Sequence, residues 1–261
     1  MGIVNVTPDS FSDGGRFLDP PAAIAAARRL VAEGADIVDL GAESTRPGAG
    51  AITEDEEWDR IRPVLEALAD LECPVSVDTR HPSVMARAIR AGASIINDIE
   101  GFRGEAARAV VAGSDAGVVV MHMKGEPRSM QDAPHYDDVV AEVRDFLVAQ
   151  RDRLHHVGIG DERICLDPGF GFGKTLAHNL ELLARLEALD VTGCPLLVGL
   201  SRKSMIGALT GLPVGERLGG SIAAALAAVD RGARIVRVHD VAQTVAALAV
   251  WRAVQGQTAK G

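Results

Sequence analysis

The chain has few aromatic residues: Phe, Trp and Tyr together make up 3% of its 261 positions. Its interior must therefore be filled by Ala, Val, Leu and Ile, as in a parallel sheet covered by Ala-rich helices. Cysteine is scarce too. Cys73, Cys165 and Cys194 stand far apart, which excludes both a CxxC-type metal knot and a disulfide framework. They read as small strand-associated hydrophobes of a reduced, cytoplasmic protein. No apolar run reaches transmembrane length and no signal peptide is present, so no membrane partner is expected. Positive charge is in deficit. A formal net charge of −9 repels polyanions, so nucleic acid is not an expected partner, and any bound anion must be small and met by local basic residues.

What is abundant is a repeated joint. Gly34-Ala35-Asp36-Ile37-Val38, Gly92-Ala93-Ser94-Ile95-Ile96 and Gly232-Ala233-Arg234-Ile235-Val236 each place a helix-ending Gly before β-branched residues that enter a strand. Ala-rich segments with helical periodicity precede them, at 21–33, 84–91 and 221–231. Weaker copies of the joint at 116–121 and 160–166 complete a series of expected strands near 3–6, 37–40, 75–77, 95–97, 118–121, 164–166, 196–198 and 235–238. Strict alternation of strand and helix forces the strands to be parallel, and eight such units in a chain of this length predict a single-domain α/β fold, the (β/α)8 TIM barrel. The doubly wound open sheet is the alternative, but no GxGxxG follows the first strand.

One stretch shows what the strands deliver. From Cys194 to Ser204 a short apolar run enters at Pro195, breaks at Gly199 and turns into Ser201-Arg202-Lys203-Ser204. The carboxyl ends of the other strands do the same. They carry Asn5 and Thr7, Asp39 and the Glu43-Ser44-Thr45-Arg46-Pro47 run, Asp78-Thr79-Arg80, Asn97-Asp98, His122, Asp167-Pro168, and Arg237 with His239. Barrel enzymes build their sites at this rim. Taken singly, each residue has a plainer reading: Asp78 or Thr79 as a cap before Pro82, Asn97-Asp98 and Asp167-Pro168-Gly169 as turns, Arg202-Lys203 as solvated charges, His239 as a structural histidine. It is their joint placement that argues for a site.

Two motifs fail on inspection. Gly173-Lys174-Thr175 ends like a phosphate-binding P-loop, but Pro168 stands where its first Gly is needed. Gly169-Phe170-Gly171-Phe172-Gly173 lacks dinucleotide spacing and reads instead as backbone closing over a flat, partly apolar ligand. The polar loop 7–18 has the length of a lid, and loop 41–53 offers a hydroxyl and a guanidinium suited to an anionic group.

These segments, in order along almost the whole chain, resemble the dihydropteroate synthase family. They are Met1 to Gly15, Glu43-Ser44-Thr45-Arg46-Pro47-Gly48, Ser76-Val77-Asp78-Thr79, Ile95-Ile96-Asn97-Asp98, Met121-His122-Met123, Asp167 to Lys174, Ser201 to Ser204 and Arg237-Val238-His239-Asp240. The resemblance implies a pterin-binding barrel over residues 1–261 that joins 4-aminobenzoate to 6-hydroxymethyl-7,8-dihydropterin diphosphate, with Mg2+ as cofactor. It also implies the sites. Asp78, Asn97, Asp167 and Lys203 would bind the pterin, with apolar contact from Ile99 and Met121. Asn5, Thr45, Arg46, Arg237 and His239 would bind diphosphate, and Asn5 the metal. Phe11, Thr45, Pro47, Phe172, Lys203 and Ser204 would form the aminobenzoate pocket, and Asp78, Asp167, Lys203, Arg237 and the lid residue Asp13 would carry catalysis.

The same barrel and pterin contacts would also serve a pterin-binding methyltransferase domain working with a corrinoid partner, or a pterin-binding protein without turnover. Family members carry a short segment before the first strand. Here Met1 opens on that strand, so either a different cap at the bottom of the barrel or a start further upstream is expected. The Ala-rich segments 222–229 and 241–254, apolar beyond one face, predict a homodimer through the C-terminal helices, and residues from Gly256 onward are expected to fray.

Overall fold

The structure, a computed structural model, describes residues 1–6, 20–43, 52–126 and 129–258. Eight strands run in chain order around one sheet: β1 (Gly2–Asn5), β2 (Val38–Gly41), β3 (Val75–Asp78), β4 (Ile95–Asp98), β5 (Gly117–Met121), β6 (Ile164–Asp167), β7 (Leu196–Val198) and β8 (Ala233–Val236). Every neighbouring pair is parallel. The sheet then closes on itself. Gly2 bridges Val238, the Ile3 N–H donates to the Val238 carbonyl at 3.0 Å, and the Val238 N–H donates to the Met1 carbonyl at 2.9 Å. The architecture is the expected TIM barrel.

Helices follow the strands: α1 (Pro20–Ala32), α2 (Glu54–Ala67), α3 (Pro82–Arg90), α4 (Glu105–Ala112), α5 (Val139–His156), α6 (Leu176–Ala184), α7 (Ser204–Thr210), α8 (Leu218–Val229) and α9 (Val241–Thr258). Their starts follow from local chemistry. Thr53 and Glu56 form a reciprocal capping box at α2, and Asp138 accepts from the N–H groups of Val140 and Ala141 at α5. Pro82 opens α3, where its missing N–H costs nothing. The main core lies between strands and helices. There Val4, Val38, Leu40, Val77, Ile96, Val118, Val120, Leu166 and Val198 meet Ala27, Ile61, Val84, Ala88, Val143 and Leu182.

Strand positions agree with the sequence reading within a residue or two, and the largest shift is at β8. There Leu196 pairs with Ala233 and Leu197 with Ile235, so Arg234 is bulged out and exposed. Arg234 reads as a loop residue in sequence although the strand has already begun. At the other end, Val238 is taken up by the seam with Gly2. Helix α9 runs through Gly256 to Thr258.

Candidate active site

The two-residue period of a strand decides which side chains enter the barrel. Ile37, Ile95, Val119, Cys165, Leu197 and Ile235 form an apolar floor with Met1. Two residues further along each strand, the same face carries Asp39, Asn97, Met121, Asp167, Gly199 and Arg237, and the same parity adds Asn5 and Asp78. The site is thus the polar storey above an apolar one.

Arg237 is its central cation. Its Nε donates to Asp39 Oδ2 at 2.6 Å and its Nη2 to Asp78 Oδ2 at 2.9 Å, so strands β2, β3 and β8 are tied across the mouth. Asn97 Nδ2 reaches the same Asp39 oxygen at 3.4 Å. Asp39 is fully buried, Asn97 and Asp167 nearly so, and Asp78 and Arg237 keep part of their surface open. Lys203 and Arg237 flank Gly199, where an added Cβ would stand 3.8 Å from Lys203 Nζ and 3.9 Å from Arg237 Cβ. An apolar wall of Ile99, Met121, Met123 and Met130, with Phe172 packed against it, completes the concavity.

Burial dominates the electrostatics. It pushes the Asp78 carboxyl up to about 7; the Arg237 guanidinium opposes the rise, and the charge of Asp39 adds to it. Burial also raises Asp167, against the pull of Lys203, and lowers the Lys203 ammonium to about 8, against the pull of Asp167. For Arg237, burial is outweighed by Asp39 and Asp78, so it stays charged. A carboxyl poised near neutrality beside a lysine whose pKa is lowered is a signature of functional sites.

The loop after β6 is built on glycines in the left-handed region, Gly169, Gly171 and Gly173, with φ of 66°, 81° and 62°. A Cβ on Gly169 would overlap the His122 carbonyl oxygen, and one on Gly173 that of Lys124. The Gly169 N–H donates to Asp167 Oδ1 at 2.7 Å. Lys203 Nζ donates to the Phe170 carbonyl and lies 4.9 Å from the Phe172 ring centroid.

The structure brings Asn5, Asp78, Asn97, Ile99, Met121, Asp167, Phe172, Lys203 and Arg237 to one rim. His239 lies there too, its Nδ1 3.0 Å from Ser201 Oγ. Ser204 is exposed at the start of α7. Phe11, Asp13, Thr45, Arg46 and Pro47 lie outside the described residues.

Several plainer readings of single residues resolve in different directions. Asp98 is indeed a turn former, accepting from the N–H groups of Glu100 and Phe102 at 2.8 and 2.7 Å. Asp78 is not a helix cap, because His81 holds that place before Pro82. Arg202 is not merely solvated, since its Nε donates to Asp240 Oδ2 at 3.0 Å. Sequence reasoning set Asp39 at the rim without giving it a role, and it left Lys174 out of the candidate site. Asp39 had a usable signal, its shared inward parity with Ile37. Lys174 had none, because its partner His122 lies 52 residues away.

A closed parallel barrel with buried carboxylates and an amide opposite a lysine and an arginine, beside an apolar wall, is an enzyme site for a flat polar heterocycle carrying an anionic group. Comparison with known proteins narrows this. The family model described as pterin binding enzyme matches residues 1–239. The dihydropteroate synthase of Neisseria meningitidis serogroup C is 51% identical over 259 residues, covering 97% of this chain and 92% of that protein. That of Escherichia coli K12 is 49% identical over 251 residues, covering 96% and 89%. Among solved structures, Xanthomonas albilineans dihydropteroate synthase with 4-aminobenzoic acid aligns with a TM-score of 0.91 at 53% identity, covering 97% of this chain and 92% of that one. The Burkholderia cenocepacia enzyme complexed with 7,8-dihydropteroate also gives 0.91, at 48% identity and 100% and 92% coverage. The chain belongs to the dihydropteroate synthases of the pterin binding enzyme family.

Proposed function

We propose that this chain, as one pterin-binding unit over residues 1–261, condenses 4-aminobenzoate with 6-hydroxymethyl-7,8-dihydropterin diphosphate to give 7,8-dihydropteroate and diphosphate. The observation that carries the reading is the meeting of two buried acceptors, Asn97 and Asp167, and the partly open Asp78 with Lys203 and Arg237 at one barrel mouth. Relatives that are themselves synthases favour this reading over a methyltransferase with a corrinoid partner.

The pterin ring presents amino and ring N–H donors, which suit Asp78, Asn97 and Asp167, while Lys203 meets its carbonyl side. Ile99 and Met121 supply apolar contact. As the methylene C–O bond breaks, positive charge spreads into the ring, and the carboxylates of Asp78 and Asp167 stabilise it. Arg237 and His239, with Thr45 and Arg46, take the departing diphosphate. The amine nitrogen of aminobenzoate then forms the new C–N bond and loses a proton. Phe172, the Lys203 stem, Phe11, Thr45, Pro47 and Ser204 line its pocket, and Asp13 belongs to the lid that keeps water from the cation.

The donor set fits Mg2+ of one kind only. Among the described residues no group of three or more His, Cys, Asp or Glu could hold a metal. The inward position of Asn5 at the end of β1 offers a single hard oxygen, suited to an ion that keeps water and substrate oxygens around it. Asn5 would hold it, and the ion when bound would neutralise charge on the diphosphate oxygens.

The finer biology rests on sequence and surface. Three free thiols are consistent with a cytoplasmic protein, and none of the described helices is long and apolar enough to cross a membrane. Val250 and Val254, one turn apart on α9 and 66% and 60% exposed, support a homodimer through the C-terminal helices. The deciding experiment is an assay for dihydropteroate from the two substrates with and without Mg2+. Product and diphosphate in equal amounts are expected, and no product from the folded chain would overturn the reading.

A further inference from the structure

Lys174 is among the most deeply buried cations of the described chain, 3% exposed, yet among the described residues no carboxylate lies within ion-pair distance of it. Its Nζ instead sits in a cage of three neutral acceptors: His122 Nδ1 at 2.9 Å, the Gly169 carbonyl at 2.9 Å and the Phe172 carbonyl at 3.1 Å. An ammonium has three protons and no lone pair, so these contacts use it completely. Burial pulls the Lys174 ammonium well below the usual lysine range, against the pull of Asp167, and in its charged form Nδ1 of His122 is the acceptor, with the ring proton on Nε2. Desolvating an ammonium for the sake of structure alone is costly when an apolar side chain could fill the same space.

The two carbonyls it grips bracket the glycine turn. Gly169 and Phe172 are already joined by the Phe172 N–H, which donates to the Gly169 carbonyl at 3.1 Å. The residue after the turn and the tip of the turn have holds of their own, the tip also through Gln131 Nε2, which donates to the Gly171 carbonyl. Tyr136 Oη donates to the Gly173 carbonyl at 2.8 Å, and the Gly171 N–H donates to Asn179 Oδ1 at 2.7 Å. Lys174 is the side chain that grips both ends of the turn, and the turn carries two features that face the mouth. The Phe172 ring lies under the Lys203 ammonium, and the Phe170 carbonyl accepts from that same ammonium. Moving the turn would move Phe172 and release Lys203 together, while Asp78 and Asn97, on β3 and β4, would stay in place.

We infer that Lys174, with His122 as its acceptor, is a positioning residue for the aminobenzoate side of the site, acting through the glycine turn on Phe172 and Lys203. The inference rests on the synthase reading. Without the cage the pterin acceptors Asp78 and Asn97, on β3 and β4, persist, but the wall against which the second substrate packs does not.

The test measures KM for each substrate in Lys174→Met and Lys174→Ala. The KM for 4-aminobenzoate should rise roughly tenfold or more, the scale of one lost charge-assisted hydrogen bond, and that for the pterin diphosphate, which keeps Asp78 and Asn97, by a clearly smaller factor. Ethylammonium added to Lys174→Ala should recover part of the loss, whereas a side chain that only fills space would show no such rescue. If the Lys174 variants do not fold, His122→Gln, which keeps an acceptor, is compared with His122→Leu, which does not. Equal aminobenzoate KM values in that pair, or equal effects on both substrates in the Lys174 variants, would overturn the inference. No dihydropteroate from the wild-type chain would overturn the synthase reading and this inference with it, whereas wild-type turnover with unaltered KM in the variants would overturn the inference alone.

Discussion

Asp39 accepts a 2.6 Å hydrogen bond from Nε of Arg237, a residue 198 positions away, and the same guanidinium reaches Asp78 at 2.9 Å. A fully buried carboxylate thus sets the angle at which Arg237 faces the mouth. Asp39→Asn leaves the guanidinium half-held and should cost about 2 kcal/mol of stability, read as a lower midpoint in denaturant melts. It also removes a negative charge that helps raise Asp78. The Asp78 carboxyl should therefore titrate at lower pH in the variant, and the acid limb of kcat/KM should move the same way. An unmoved limb would show that Asp39 is not felt at Asp78.

The wild-type pH profile follows from two groups. Asp78 must be ionised to accept from the pterin, and its carboxyl is pushed up to about 7, so kcat/KM should rise as pH increases through that value. Lys203 must be protonated, and its ammonium is lowered to about 8, so kcat/KM should fall above it. A narrow bell is expected. Lys203→Arg should remove the basic limb, since a guanidinium stays charged, and Asp78→Asn should remove the acid limb from whatever activity remains.

Glycines with positive φ are not equivalent. Gly92, at φ 103°, has nothing within 4 Å of an added Cβ, so Gly92→Ala should cost about 1 kcal/mol for backbone strain alone. Gly169→Ala adds an overlap with the His122 carbonyl oxygen, an atom of the neighbouring strand end that cannot step aside. It should cost about 3 kcal/mol or more and lower activity as well. Thermal melts of the two variants side by side measure the difference.

The exposed valines of α9 give a prediction on assembly. Val250→Glu and Val254→Glu place charge on a surface proposed to meet its own copy, so the double variant should sediment as a monomer while the wild type sediments as a dimer. Neither side chain is buried within one chain, so a large loss of monomer stability is not expected.

Much of this was readable beforehand, and the reasons are local. Five of the eight strands were legible because Gly-Ala-x-Ile/Val joints and their weaker copies are short-range signals, and the rim residues because a strand's carboxyl end is fixed once the strand is. What escaped depended on partners distant in sequence. Asp39 stood visibly at the rim, but that it holds Arg237 follows only from closing the barrel. Lys174 fell within a motif whose spacing fails for phosphate, and nothing nearby in sequence announces that His122 and two loop carbonyls surround it. The bulge at Arg234 was hidden for a similar reason, since it is defined against Leu196 and Leu197 on the neighbouring strand.

The seam between Gly2 and Val238 lies one residue beyond Arg237. A chain lacking β8 can set out Asp78, Asn97 and Asp167, but Asp39 and Asp78, on the paired strands β2 and β3, then lack the Arg237 guanidinium that donates to both. The final strand supplies the missing charge and the missing hydrogen-bonding edge in the same act. Repulsion between the two waiting carboxylates is thereby relieved at the moment of closure, which ties assembly of the reactive centre to the joining of the last strand to the first.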